Sequence, residues 1–197
     1  MLILGLTGDV GAGKSTICRV WKSMGASVFD ADSVARDMWK SEEVQKKACA
    51  RWGSDFFAGE WSCVLKKIAD KIFGSEEEYS FASSLLHKAT IKELKNLAAN
   101  AGGLVILEIP LLYECGEESM FDGVIYASAS LEKRAERNVS RGWNKSEIMR
   151  RENMLMDTAE KIRRSDWVLE NDGTADEWEE KAVKLGKIFL SDPRVKD

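Results

Sequence analysis

One histidine, His87, is all that the 197 residues contain, and a lone imidazole excludes a multi-histidine zinc site. The four cysteines, Cys18, Cys49, Cys63 and Cys115, include no C-x-x-C pair. Three of them lie in apolar helical or strand-like surroundings, so buried, reduced thiols are expected rather than a metal ribbon or a redox pair. No apolar run approaches the ~20 residues that cross a bilayer, and no basic stretch with a small-residue cleavage site precedes the first apolar run. Membrane partners and a signal peptide are therefore not expected, and the chain is placed in the cytoplasm. There is no internal repeat and no low-complexity linker. The formal net charge is −4, and no extended basic face of the kind that tracks a nucleic-acid backbone can be read along the chain. Nucleic acid is not an expected partner. Length and composition leave one full core, or a core with a small appended subdomain.

What is present is led by Gly8-Asp9-Val10-Gly11-Ala12-Gly13-Lys14-Ser15-Thr16, a loop of the form G-x-x-x-x-G-K-S set directly after the strand-like run Leu2-Ile3-Leu4-Gly5-Leu6. Glycines admit backbone conformations that residues with a Cβ resist, so successive N–H groups can turn inward around a polyphosphate. The helix that follows aims its N-terminus at the same anion. Gly11, Ala12, Gly13, Lys14, Ser15 and Thr16 are thus the expected contacts to a nucleotide. Lys14 supplies a point charge for the β- and γ-phosphates, and the Ser15 hydroxyl can enter the shell of Mg²⁺.

Ile17, Val20, Trp21 and Met24 keep helical spacing until Gly25. Ser27-Val28-Phe29 reads as a second strand ending in Asp30-Ala31-Asp32. If that strand continues, both carboxylates face one cleft, at the sheet edge where α/β folds take ligands. From Ser33 to about Asn100 the period is helical, with Ser41-Glu42-Glu43-Val44 suiting a helix start. Trp52, Phe56, Phe57 and Trp61 cluster there, as core or as an apolar wall for an acceptor. Leu104-Val105-Ile106-Leu107-Glu108-Ile109 is near-continuously apolar, the mark of a strand buried on both faces, and Pro110 ends it. Gly123-Val124-Ile125-Tyr126-Ala127 and Asp166-Trp167-Val168-Leu169 supply two more strands. Helices are expected from about Leu131, from the capping pattern Asn144-Lys145-Ser146-Glu147, and from Thr174-Ala175-Asp176-Glu177. Five strands alternating with helices predict a parallel sheet covered on both faces. The tail from Asp192 is expected to fray.

Residues 133–164 hold ten Lys/Arg against five Asp/Glu. Such an island suits a small polyanion, although most of these charges read as a solvated helix face. A phosphate loop alone does not separate a GTPase, a motor and a small-molecule kinase. No Asn-Lys-x-Asp guanine-reading tetrad is present, and the chain is short for a motor. The aspartate pair suits a kinase, because an acceptor hydroxyl needs a carboxylate to orient it and take its proton. The basic island then serves as a lid that neutralises phosphoryl oxygens.

Several strings together resemble the dephospho-CoA kinases: Gly5-Leu6-Thr7-Gly8 entering the loop, Phe29-Asp30-Ala31-Asp32-Ser33-Val34-Ala35-Arg36, and Glu108-Ile109-Pro110-Leu111-Leu112-Tyr113-Glu114. Phe121-Asp122-Gly123-Val124-Ile125, Arg137 with Arg141, and the run from Ser165 to Gly173 match in order and spacing, so the resemblance covers nearly the whole chain. It implies a single P-loop NTPase-like α/β domain, a three-layer sandwich with a five-stranded parallel sheet. Its nucleotide-binding core would take 1–32, 101–132 and 165–197, its helical CoA-binding part 33–100, and its basic lid 133–164. The implied reaction moves the γ-phosphate of ATP, with Mg²⁺, to the ribose 3′-hydroxyl of dephospho-CoA, the last step of coenzyme A synthesis. Carried over by position, Asp32 is the base, Arg141 the lid arginine at the transferring phosphate, and Lys14 the phosphate-loop lysine. Asp30 falls beside Asp32, at the metal or the acceptor, and Arg36, His87 and Glu114 fall on the acceptor side. Glu108, an acid ending a strand beside a phosphate loop, reads either as reaching Mg²⁺ through water or as a solvated strand-end acid.

The departures are local. Asp9 stands where the family usually has glycine, placing a carboxylate beside the phosphates unless it points outward. Leu65 replaces an arginine, Lys88 a proline, and Leu155 a glutamine. Two further readings stay open on these grounds: a kinase of the same architecture for another small hydroxylated acceptor, and a nucleotide-binding regulator without turnover.

Overall fold

The computed structural model describes residues 1–153 and 155–195. It separates into two compact units, Met1–Asp30 with Ala98–Asp197, and Ala31–Leu97.

The first unit is built on five strands: β1 Leu2–Gly8, β2 Ser27–Asp30, β3 Leu104–Glu108, β4 Gly123–Ser128 and β5 Trp167–Glu170. They form one sheet in the order β2-β3-β1-β4-β5, with every neighbouring pair parallel. Alternate side chains leave opposite faces of a strand. On one face Leu4, Leu6, Ile106 and Ile125 pack against the helices α1 Lys14–Ser23 and, ninth in the chain, α9 Ala175–Leu190. Trp21 of α1 seals that layer, fully buried, with its indole N–H donated to the Ala182 carbonyl at 2.7 Å and its ring edge-on to Phe189. The other face carries Val105, Leu107, Val124 and Tyr126, all buried. Burial on both faces is why β3 and β4 read as continuous apolar runs.

α6 Leu131–Arg137, α7 Lys145–Glu152 and α8 Thr158–Arg164 follow β4. Asn144 and Asp157 cap α7 and α8 by accepting from the backbone N–H groups of Glu147 and Glu160. α8 has a sequence signal, Asp157 with Glu160 three residues on, that the helix reading above passes over. α9 opens with a complete capping box between Thr174 and Glu177. The tail is a correction as far as it is described. Residues Pro193–Val195 make a 3-10 turn, and Arg194 reaches Asp122. Residues 196 and 197 of the expected frayed end lie outside the described residues.

The second unit is all helical: α2 Ala31–Met38, α3 Glu42–Trp52, α4 Trp61–Gly74 and most of α5 Glu76–Ala101. Its core is Trp39, Val44, Ala48, Val64, Ile68 and Ala82, with Trp52, Phe56, Phe57, Trp61 and Leu65 packed against it. The clustered aromatics therefore belong to the core, and Leu65 joins that core. The thiols need correction. All four cysteines are unpaired, but Cys18, Cys49 and Cys115 are only half-buried and Cys63 is exposed. In α4 the apolar stripe runs through Val64 and Ile68, and Cys63 falls beside it.

Candidate active site

The loop between β1 and α1 needs its glycines. Gly8, Gly11 and Gly13 adopt φ of 144°, 80° and 97°, a region that side chains with a Cβ avoid. A Cβ on Gly8 would lie 2.0 Å from the Ala127 carbonyl oxygen, and one on Gly13 2.7 Å from Asn171 Nδ2. Gly13 opens α1 with no side-chain cap, which leaves first-turn N–H groups facing the loop. Lys14 curls back, donating to the carbonyls of Gly8 and Asp9, both at 3.0 Å. Burial lowers its pKa, and the carboxylates of Glu108 and Asp9 oppose that shift.

A cavity of about 730 Å³ opens over this loop, and Lys14, Ser15, Glu108, Arg137 and Arg141 share its wall. All the expected phosphate contacts from Gly11 to Thr16 line it. Glu108 ends β3 directly opposite Asp30 at the end of β2, so two acidic residues close adjacent strands. The Cys18 thiol donates to Glu108 Oε2 at 3.2 Å. Burial first, then the charge of Glu108, pushes the thiol pKa far up, so Cys18 stays protonated.

Asp9 points away from the loop's concave side. The residue is 6% exposed, and its carboxylate accepts from Tyr126 Oη at 2.5 Å, Ser128 Oγ at 3.2 Å and the Ala129 N–H at 3.1 Å. The residue that breaks the glycine pattern is thus a clasp between the loop and the end of β4. Burial and the adjacent Asp9 carboxylate push the Tyr126 phenol far above its ordinary range, so it acts as a donor.

The structure corrects the reading of Asp30 and Asp32 as one extended face. β2 stops at Asp30, and Asp32 sits exposed in the first turn of α2. A carboxylate there is favoured by the N-terminal dipole of the helix. Arg36, exposed on α2, and His87, half-buried on α5, belong with Asp32 to the helical unit. Glu114 lies off the cavity wall, paired with the buried Lys161 at 2.6 Å and accepting from the Met156 N–H at 3.0 Å. Burial raises its pKa, but those hydrogen bonds together with the charge of Lys161 hold it below the ordinary value.

Among the described residues the basic island is mostly taken up by ion pairs, in keeping with the reading of most of its charges as a solvated helix face. Eight of its ten cations, Arg134 and Lys161 among them, form ion pairs with carboxylates. Arg137 and Arg141 differ, and both line the cavity. Arg137 donates to the carbonyls of Asn171 at 2.6 Å and Gly173 at 3.0 Å. Arg141 donates to Asn138 Oδ1 at 3.3 Å and lies over the Trp143 ring.

Three residues of the loop's support escape the sequence reading. Asn171 Nδ2 donates to the Ala12 carbonyl at 2.7 Å, Trp178 Nε1 to that of Gly13 at 3.2 Å, and buried Asn138 packs at Gly11. Asn171 lies within a quoted family string, so a signal existed. Trp178 and Asn138 carry none, because the loop glycines they touch are more than a hundred residues away.

A glycine loop, a curled lysine, strand-end acids and two cavity-facing arginines are residue types suited to phosphate, and comparison with known proteins narrows the reading. The dephospho-CoA kinase family model matches residues 2–177. The dephospho-CoA kinase of Aquifex aeolicus is 31% identical, over 96% of this chain and 98% of its own. The crystal structure of TT1252 from Thermus thermophilus superposes with a TM-score of 0.76 at 32% identity, covering 97% of this chain and 98% of that one. Shikimate kinase from Bacteroides thetaiotaomicron, at 14% identity and a TM-score of 0.54 with 96% and 98% coverage, shares the fold. With the family model spanning both the loop and the β5–α9 connection that supports it, the chain belongs to the dephospho-CoA kinase family.

Proposed function

We propose that the chain transfers the γ-phosphoryl group of ATP to the ribose 3′-hydroxyl of dephospho-CoA, in the cytoplasm, giving coenzyme A and ADP. The observation that carries this is the single cavity in which Lys14, Ser15, Glu108 and Arg141 meet over the phosphate loop. Phosphoryl transfer asks the protein mainly for positioning and for positive charge around the moving group. Lys14, held among loop carbonyls by its own hydrogen bonds, turns to the β- and γ-phosphates, with Gly11, Ala12, Gly13, Ser15 and Thr16 supplying the cradle. Arg141 meets the transferring group.

Mg²⁺ fits the donors present. Ser15 and Glu108 offer hard oxygens on one cavity wall, and no cluster of three or more His, Cys, Asp or Glu able to hold a metal occurs among the described residues. That suits a cation that arrives with phosphates and keeps its waters. Ser15 would hold it directly and Glu108 through water, and when bound it neutralises charge on the phosphate oxygens.

Asp32 is the proposed base for the 3′-hydroxyl proton, with Asp30, Arg36 and His87 on the acceptor side. Glu114 contributes there by fixing residues 156–161 through Lys161 and the Met156 N–H. The test is ADP release from Mg-ATP across a panel of hydroxylated acceptors. Release that depends on dephospho-CoA supports the reading, and equal release with other acceptors sinks it. Asp32→Asn is expected to lose 10²-fold or more of kcat, a size on the order of general-base contributions. A variant that keeps most of the rate removes Asp32 from the role.

A further inference from the structure

Between the loop and Arg141 lies a residue that the reaction as described does not use. Asn138 follows α6 and is 4% exposed. Its backbone carbonyl accepts from the N–H groups of both Arg141, at 3.0 Å, and Trp143, at 3.2 Å. Its side-chain Nδ2 donates to the Arg134 carbonyl at 2.8 Å. Oδ1 receives Arg141 Nη1 at 3.3 Å. On its other side the carboxamide fills the space over Gly11, where a Cβ would stand 2.4 Å from Nδ2. One buried amide therefore touches the phosphate loop, ends a helix and sets the turn that carries the lid arginine.

We infer that Asn138 is a positioning residue: its carboxamide acts as a spacer that sets the Arg141 guanidinium at a fixed place relative to Gly11 of the phosphate loop. Arg141 is otherwise a long, exposed side chain on a three-residue 3-10 turn, Val139–Arg141, with many rotamers open to it. Asn138 on one side and the Trp143 ring, 5.5 Å from the guanidinium carbon, on the other reduce that freedom before any phosphate binds. A preorganised cation stabilises developing charge without reorganising during the reaction. Asn suits the spacer because it accepts from Arg141 and donates to Arg134 at once, which neither Asp nor Leu can do. Asp would also pair with the guanidinium and neutralise it.

The inference rests on the proposed role of Arg141, and a double-mutant cycle separates the two. Wild type, Asn138→Ala, Arg141→Ala and the double variant are assayed for ADP formation with Mg-ATP and dephospho-CoA. Thermal midpoints are recorded for each. Asn138→Ala is expected to lower kcat on the order of 10- to 100-fold, as misplaced catalytic groups do, with the KM for dephospho-CoA unchanged. On the Arg141→Ala background the same substitution is expected to change kcat by less than about twofold, because its route of action is already gone. Asn138→Asp, which keeps the shape, covers the case in which the alanine variant does not fold, and it should show the same masking. Equal fold-losses in both backgrounds, or no loss from Asn138→Ala or Asn138→Asp, overturn the positioning role. If Arg141→Ala itself leaves kcat intact, both assignments fall. If Arg141→Ala alone lowers it, only the spacer is in question.

Discussion

At the scale of single residues, the feature most at odds with the family pattern becomes a structural asset. A carboxylate beside a phosphate site should repel the ligand, yet Asp9 turns outward into three donors. Hydrogen bonds to a charged acceptor contribute about 1.5–3 kcal/mol each when the partner would otherwise be buried unpaired. Tyr126→Phe should therefore destabilise the protein by about 2 kcal/mol in urea unfolding. Asp9→Gly should destabilise it at least as much, although it restores the usual family residue. A neutral or stabilising Asp9→Gly would mean that the clasp contributes nothing. Glu114 makes a second prediction at this scale, one that depends on pH. Its folded pKa lies below the ordinary value of 4.5 because Lys161 and the Met156 N–H hold its charged form. The stabilisation is present above that ordinary value and is lost as pH falls through the lower, folded one. Glu114→Gln should therefore differ from wild type in thermal midpoint most at neutral pH, with the gap narrowing below about pH 4.

At the scale of elements, the helices after β4 are tied to the phosphate loop through the buried Arg134–Glu152 pair and also carry several exposed pairs. Arg134 donates to Glu152 of α7 and to the Val10 carbonyl, while the Val10 N–H donates to Glu152. The Arg134 side chain is 9% exposed and that of Glu152 22%. Breaking a buried pair strands its remaining charge, at about 3 kcal/mol or more. Exposed pairs contribute about 0–1 kcal/mol. Glu152→Ala should thus lower unfolding stability by about 3 kcal/mol, and Glu160→Ala, which opens the exposed pair to Arg163, by less than about 0.5 kcal/mol. Similar effects from both would contradict the latch.

The elements also show what local pattern conveys. β3 was readable because burial on both faces leaves no polar alternation, and α9 because Thr174 and Glu177 stand at capping spacing. The end of β2 was not. Four residues give too short a period to distinguish a strand continuing through Asp32 from a helix starting at Ala31, and the helix wins with a good former and an acid in its first turn. The island from 133 to 164 read as net charge, but three of its pairs go to Glu114, Glu118 and Glu132, all outside the stretch and the first two on earlier segments. The glycine loop was legible as a site, since its chemistry is local. Its supports at Asn138 and Trp178 act across the fold and leave no local mark.

At the scale of the whole molecule, the sheet order places the loop after the central strand β1, with Glu108 and Asp30 ending the two strands beside it on one side. Ligands in parallel α/β sheets gather at the C-terminal ends of strands, and the loop, the acids and the cavity are all there. None of the described helices is long and apolar enough to cross a membrane. The central claim is the reaction itself, and the most direct measurement is product identity by mass spectrometry after incubation with Mg-ATP and dephospho-CoA. The account predicts coenzyme A, phosphorylated on the ribose 3′-hydroxyl, and ADP in equal amounts. ADP without coenzyme A, or no ADP with dephospho-CoA while another acceptor is phosphorylated, would contradict it.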